Sequence, residues 1–415
     1  MSLIKAFPGL RPPKAYADDV VAPPYDVMSA AEAREMVRGR PWSFLHISRP
    51  EVDLPEATDP YAPEVYAKAA ENLERMLGEA VLVQDPHPTF YIYRLTMEGH
   101  VQTGLVAAAS VEAYDRDRIK KHEFTRPKKE DDRVRQIDAL DAQTGPVFLV
   151  YPSDGEVDGM LSEEADREPE LDVTAADGVR HQIWTLSDSV RVGRLTALFD
   201  GMSALYVADG HHRSAAASRV TTARRAANPA HTGEEPYNYF LSVIFPHSQM
   251  QILPYNRVVR DLNGLEREQM LERIAVRFRV ETSAHAVLPG RHAEFGMYLP
   301  GQWYRLVLDE GRIPWDDPVQ RLDVSLLAGE LIEPILGIAD QRRDKRIDFV
   351  GGIRGLEALE KRVDSGEMAV AFSLYPTSME ALMAVADAGE VMPPKSTWFE
   401  PKLADGLVSH LLGGR

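Results

Sequence analysis

The stretch "ALYVADGHHRSAAASRV", residues 204–220, decides the architecture. Its first half is a short apolar run of β type that ends in Asp209-Gly210, and its second half is an alanine-rich run of helical type. A strand that passes through glycine into a helix start is a ready anion site. The first helical N–H groups have no intrahelical acceptor, and the aligned peptide dipoles add partial positive charge there. Gly210 permits a tight turn and a close backbone approach, while His211, His212 and Arg213 add donors. Arg213 has the fork to bind a phosphate through two hydrogen bonds. Asp209 is a candidate to hold a metal ion or to orient a histidine. Two other readings stay open on these residues alone. Asp209 simply caps the helix while the histidines fill polar surface, or both imidazoles ligate a metal, although neighbours at a helix start point in different directions.

Upstream of this turn the first 60 residues are rich in proline, which favours extended segments over long elements. One helix is expected after Ser29, whose Ser29-x-x-Glu32 spacing is a capping box, and a second over Glu64 to Leu77. "TFYIYRLTM" and "QTGLVAAASVEAYD" flank Glu98-Gly99-His100 and read as a hairpin. "GPVFLVYPS" and "RHQIWTLS" read as strands, followed by a helix over 188–199. Downstream, "YFLSVIFP" and "MQILPYNRVV" read as paired strands. From about residue 264 the pattern is a helix, the hairpin "EFGMYLPGQWYRLVLD" and a helix around "VSLLAGELIEPIL". Strand "RIDFVGG", helix "GLEALEKRVDSG", strand "MAVAFSLYP" and a helix capped by Thr377-x-x-Glu380 close the series. Alternation mixed with hairpins predicts an α/β (α+β) protein with a mixed sheet. Three regions are expected, 1–150, 151–262 and 263–415, with no obvious linker between them and a single interwoven domain as the alternative.

Composition narrows the function. Of 415 residues, 44% are hydrophobic and 27% charged, with a net charge of −17. That balance disfavours nucleic-acid binding, which normally uses a basic face, but leaves room for a small anion held by local cations. The chain has no cysteine, so disulfides, thiolate catalysis and Cys-ligated zinc are excluded. No signal-like or membrane-length apolar run occurs, and a cytoplasmic protein without membrane partners is expected. Oligomeric state is not legible.

Two further clusters carry chemistry. In "RDRIKKHEFTRPKKEDDR", residues 116–133, His122 and Glu123 set a carboxylate beside an imidazole amid many cations, suited to a general base or a metal ligand. A solvated charged loop is the plainer alternative. In "GEVMPPKSTWFEPKLADG", residues 389–406, Lys395, Ser396 and Thr397 offer one ammonium and two hydroxyls on an exposed turn, a chemistry suited to phosphate oxygens. A plain loop is again the alternative.

Together with "VVAPPYDVMS", "FLHISRPEVDL" and "ILPYNRVV", these collinear motifs resemble, from end to end, the bacterial family known as domain of unknown function 1015. A more distant resemblance joins the series His-Glu, Asp-Gly-His-His-Arg and Pro-Lys-Ser-Thr to archaeal free-serine kinases of the ParB/sulfiredoxin superfamily. That resemblance implies a ParB/sulfiredoxin-like core with the Asp209–Arg213 turn as phosphate cradle. It further implies Glu123 as general base with His122 beside it, and Lys395, Ser396 and Thr397 on the nucleotide or the transferred group. The activity implied is phosphoryl transfer from ATP or ADP, normally with Mg²⁺, to a small hydroxyl compound, L-serine first. A nucleotide-binding regulator and a metal-dependent hydrolase are the alternatives. Sulfiredoxin chemistry itself is excluded, since it needs a cysteine where His211 or His212 stands. Tyr25 and Asp26 of "APPYDV" have either a pocket or a structural-turn role.

Overall fold

The computed structural model describes residues 2–413. The chain forms two compact units: one runs up to Met250 and resumes at Pro401, and the other is Gln251–Glu400. The divisions therefore differ from the consecutive regions 1–150, 151–262 and 263–415. The reason is that the last segment returns to the first unit, through backbone bridges of Leu10 with Ser409 and Ala22 with Asp405.

The first unit is built on a nine-stranded mixed sheet. Across it run Ile119–Lys120, Leu205–Asp209, Val147–Tyr151, Tyr239–Pro246, His100–Ser110, Phe90–Met97, Arg180–Leu186 and Leu171–Thr174, with Ile4–Lys5 added against His100–Ser110. Two neighbour pairs are parallel, Leu205–Asp209 with Ile119–Lys120 and Tyr239–Pro246 with Val147–Tyr151, and the others are antiparallel. The expected hairpin closes at Met97 and His100. Val157, Leu161, Leu195 and Phe199 from helices Gly155–Ala165 and Ser189–Gly201 join the core cluster of this sheet. Helix His211–Ala227 buries Ala216 and Val220 in a separate cluster with Ile137 of helix Pro127–Leu140. The Ser29–Glu32 capping box forms as expected, and Pro63–Gly78 is helical with proline in its first turn.

One expected pairing does not occur. Tyr239–Pro246 pairs with His100–Ser110 and Val147–Tyr151, whereas Tyr255–Val259 pairs with Ile347–Gly351 and Val370–Leu374 in the second unit. The short His247–Gln249 turn imitates a hairpin link, but every residue of both strands is buried. Strands of that kind sit in sheet interiors and take a partner on each side.

The second unit carries a six-stranded antiparallel sheet, ordered Phe278–Ser283, Gln302–Leu308, Glu294–Leu299, Val370–Leu374, Tyr255–Val259, Ile347–Gly351. The "VSLLAGELIEPIL" helix contains a π segment, Ala328–Ile332. The cap of helix Met379–Asp387 is Ser378, whose hydroxyl accepts from the Ala381 N–H at 3.1 Å, and not Thr377. Thr377 is one residue too early, and its hydroxyl donates to the Ser396 carbonyl at 3.0 Å instead. The protein is thus a mixed α/β structure. Among the described residues no helix is long and apolar enough to cross a membrane.

Candidate functional site

Two parallel strands bring the first two charged clusters together. Leu205 is in register with Ile119 and Tyr206 with Lys120. The chains leaving these strands run side by side, so the loop carrying His122 and Glu123 borders the turn carrying Asp209 and His211. That is the carboxyl end of a parallel pair, where α/β sheets commonly place ligands. A register shift between Val207 and Asp209 against Val147–Tyr151 re-aims the strand end at this point.

Gly210 occupies the left-handed region, with φ 97°, and opens the 17-residue helix His211–Ala227. Among the described residues no side chain caps the start of that helix. Asp209 is therefore not a helix cap; its carboxylate accepts from the adjacent Gly210 N–H at 2.8 Å. It lies 3.3 Å from the Lys402 ammonium and 3.9 Å from Arg213. Burial acts to raise this carboxyl, but Lys402 and Arg213 hold it well below the usual carboxylate range. Asp209 does not fit the role of metal ligand, since two cations already face it. Among the described residues no group of three or more His, Asp or Glu side chains is placed to hold a metal ion.

Arg213 is turned inward. Its guanidinium donates to the Pro146 carbonyl, and a Cβ on Gly210 would meet its Nε at 3.1 Å. The turn backbone is thus laid over this guanidinium, which is committed to a backbone carbonyl where a free two-pronged fork is expected.

The adjacent imidazoles diverge. His211 is buried, with Nδ1 3.9 Å from Glu123 Oε2, whereas His212 is half-buried and its Nε2 accepts from the Arg126 N–H at 3.1 Å. His212 thereby ties the turn to the 121–126 loop. His122 packs edge-to-face on His211, ring centroids 4.5 Å apart. Burial brings His122 down to about 4 against the pull of Asp209. Burial and the neighbouring His122 hold His211 well below its ordinary value. Both rings are neutral at physiological pH. His122 hydrogen-bonds the Val207 backbone, while His122 Nδ1 and His211 Nε2 are buried with no hydrogen-bond partner among the described residues. Such atoms cost about 1–3 kcal/mol each unless a ligand or water satisfies them.

Tyr25 and Asp26, left without a role by the sequence, line a cleft of about 200 Å³ together with Arg49, Tyr61 and Lys129. A narrow adjoining space of about 30 Å³, room for a water or two, reaches Arg213 and Asp405, and Tyr25, Ser48, Arg133 and Gln136 line both spaces. The Tyr25 ring lies 3.9 Å from the Arg133 guanidinium, and its carbonyl accepts from Arg49 at 2.7 Å. Ser48 Oγ is buried without a hydrogen-bond partner among the described residues. Asp405 is fully enclosed; burial pushes its carboxyl up to about 7 despite Arg213 and Arg133.

Lys402 and Asp405 escaped the sequence reading. Both lie in "FEPKLADG", within the 389–406 stretch, where sequence reasoning gives chemistry to Lys395, Ser396 and Thr397 alone. Lys395, Ser396 and Thr397 belong to the second unit. Ser396 is buried, its hydroxyl donating to the Pro393 carbonyl at 2.6 Å, which fixes the turn and leaves that hydroxyl unavailable to phosphate. Thr397 is half-buried, and Lys395 is exposed.

A protein with this mixed sheet and strand-turn-helix site matches a known family model over residues 4–325. The chain belongs to that family, described as protein of unknown function (DUF1015). No curated protein matches it. Among solved structures it is similar to a free serine kinase in complex with AMP, at 14% identity, covering 68% of this chain and 84% of that one, TM-score 0.33. It is also similar to a conserved hypothetical protein from Pyrococcus furiosus, at 15% identity, 71% and 93% coverage and TM-score 0.33. A third is SbnI with a C-terminal truncation from Staphylococcus aureus, at 12% identity, 74% and 87% coverage and TM-score 0.36.

Proposed function

We propose that the first unit binds a nucleotide through its phosphates and transfers a phosphoryl group to a small hydroxyl compound, with free L-serine the favoured acceptor. One observation carries this reading. The Glu123 carboxylate and the His211 imidazole, 3.9 Å apart, stand at an uncapped helix start beside two buried imidazole nitrogens that lack partners among the described residues. In this reading the N–H groups of the turn receive the phosphate, and Lys402 and Arg213 supply the surrounding positive charge. Glu123, on an exposed loop, is the general base. The acceptor hydroxyl oxygen forms the new bond to phosphorus, its proton passes to Glu123, and the bond from phosphorus to the nucleotide's bridging oxygen breaks with its electron pair staying on the nucleotide. The cleft beyond Arg213, lined by Tyr25, Arg133 and Asp26, is the place for the acceptor. No step is assigned to Mg²⁺, because Asp209 is already compensated by cations.

The test is incubation with ATP or ADP, a magnesium salt and a panel of small hydroxyl compounds that includes L-serine, followed by phosphorus NMR. A new phosphomonoester is expected. Nucleotide binding without any monoester overturns the transferase reading in favour of a regulatory protein, and release of inorganic phosphate alone favours a hydrolase.

A further inference from the structure

The second unit contains a buried cation without a counter-ion among the described residues. Arg257, on the central strand Tyr255–Val259, is 1% exposed. Its guanidinium donates to the Tyr255 carbonyl and reaches the Pro394 carbonyl at 3.5 Å, while the Phe349 ring lies 4.9 Å away. Among the described residues its Nε has no hydrogen-bond partner, and no carboxylate pairs with it. Burial lowers it to about 9, the mark of a guanidinium short of negative charge. Buried cations are ordinarily paired, because an uncompensated charge is strongly unfavourable in a dry interior.

A second cation stands over the neighbouring ring of Tyr255, which meets Phe349 edge-on at 6.2 Å. Pro394 leads directly into Lys395, which holds a left-handed backbone at φ 59° and carries its ammonium 5.2 Å from the centre of the Tyr255 ring. A non-glycine residue in that region stores strain, which the surrounding turn must impose. Ser396 imposes it by donating to the Pro393 carbonyl. Trp398 completes the floor: it meets Tyr255 edge-on at 5.2 Å and lies so close to Gly351 that a Cβ there would clash at 2.8 Å. Two positive groups, one buried and one exposed, therefore border Tyr255 and the 393–396 turn, Arg257 through the Tyr255 and Pro394 carbonyls and Lys395 over the Tyr255 ring.

We infer that Arg257 and Lys395 form a phosphate-binding site on the second unit, in which Arg257 supplies a fixed positive field beneath the 393–396 turn and Lys395 contacts the oxyanion directly. A phosphate group is favoured over a carboxylate because two cations bordering one turn suit a doubly charged anion. "ILPYNRVV" and "MPPKST" are thereby two halves of one device: the first provides the buried charge and the aromatic floor, the second the exposed charge and the rigid turn.

The experiment uses the full chain labelled with 5-fluorotryptophan, its Trp398 fluorine resonance assigned by Trp398→Phe. Inorganic phosphate is titrated, with acetate at matched ionic strength as the carboxylate control. A saturable shift of the Trp398 resonance with phosphate is expected. Lys395→Asn, which keeps a residue tolerant of the left-handed backbone, should weaken it about tenfold or more. Arg257→Gln should weaken it similarly, and Arg257→Lys, which retains charge, less. Absence of a saturable shift, an equal response to acetate, or unchanged affinity in Lys395→Asn overturns the inference. A folded Arg257→Gln protein with lowered thermal stability but full phosphate affinity overturns the role of Arg257. The readout lies wholly in the second unit, so it stands apart from success or failure of the phosphotransferase assay.

Discussion

Glu123 and Lys402 illustrate how little chemistry resides in a residue until its neighbours are known. Glu123 is half-exposed in a loop of many charges, yet its carboxylate is directed toward a buried, neutral imidazole. If it is the base, Glu123→Ala lowers turnover by ~10²–10⁴ and leaves nucleotide affinity nearly intact. Steady-state kinetics beside a binding titration checks both halves; equal turnover in variant and wild type removes Glu123 from the mechanism. Lys402 acts through Asp209. Removing it in Lys402→Met leaves Arg213 as the nearer remaining cation, so the Asp209 carboxyl takes its proton at a higher pH than before. The acid limb of kcat/KM should move upward in pH, a displacement that a purely structural role of the lysine would not produce.

At the scale of the element, the strand-turn-helix unit depends on one backbone angle. Gly210 sits at φ 97° with Arg213 packed against the space a Cβ would fill. Gly210→Ala should cost ~1–2 kcal/mol of unfolding free energy from backbone conformation, with crowding of the guanidinium added to that. Chemical denaturation measures the cost, and the proposed phosphotransfer activity should fall further than the stability loss explains. This element was legible in the sequence because its period changes from strand to helix at a glycine, and that change is local. The partner loop was legible as chemistry but not as geometry: nothing in "HEFT" states that its strand lies parallel to Leu205–Asp209. The mispaired strands after Tyr239 show the same limit, since a hairpin-length connection and two apolar runs say nothing about partners contributed by distant segments. Lys402 and Asp405 were illegible for a different reason, being single charged residues whose meaning comes entirely from tertiary burial.

At the scale of the molecule, the titratable interior predicts a definite response to acid. His122, His181 and His410 are each brought down to about 4 by burial, from an ordinary value of 6.5. Between those values the unfolded chain binds more protons than the native one, so stability rises with pH from about 4 to 6.5 and is lost on acidification. Asp405 opposes this: raised to about 7, it holds its proton in the native state where the unfolded chain has released it, and it lowers stability as pH rises from about 4 to 7. Burial likewise raises Asp323, to about 6, but a tenfold change in proton affinity is worth about 1.4 kcal/mol whichever group carries it, so the three imidazoles outweigh the two carboxyls. Urea midpoints should therefore increase from pH 4.5 to 6.5, and more steeply in Asp405→Asn, where one opposing group is gone. A flat profile would show that these rings are not buried neutral. With a net charge of −17, the protein should also leave a DNA duplex unshifted on a gel at physiological salt.

The return of the chain to the first unit at Pro401 has a consequence for the order of biosynthesis. A ribosome releases Asp209 long before Lys402, 193 positions later, and the whole inner unit emerges in between. During that interval the nascent turn carries its carboxylate without its lysine, and the edges at Leu10 and Ala22 wait for Ser409 and Asp405. Translation arrested just short of Pro401 would yield a polypeptide with the strand, the glycine and both histidines in place, yet with the electrostatic balance of the turn never completed.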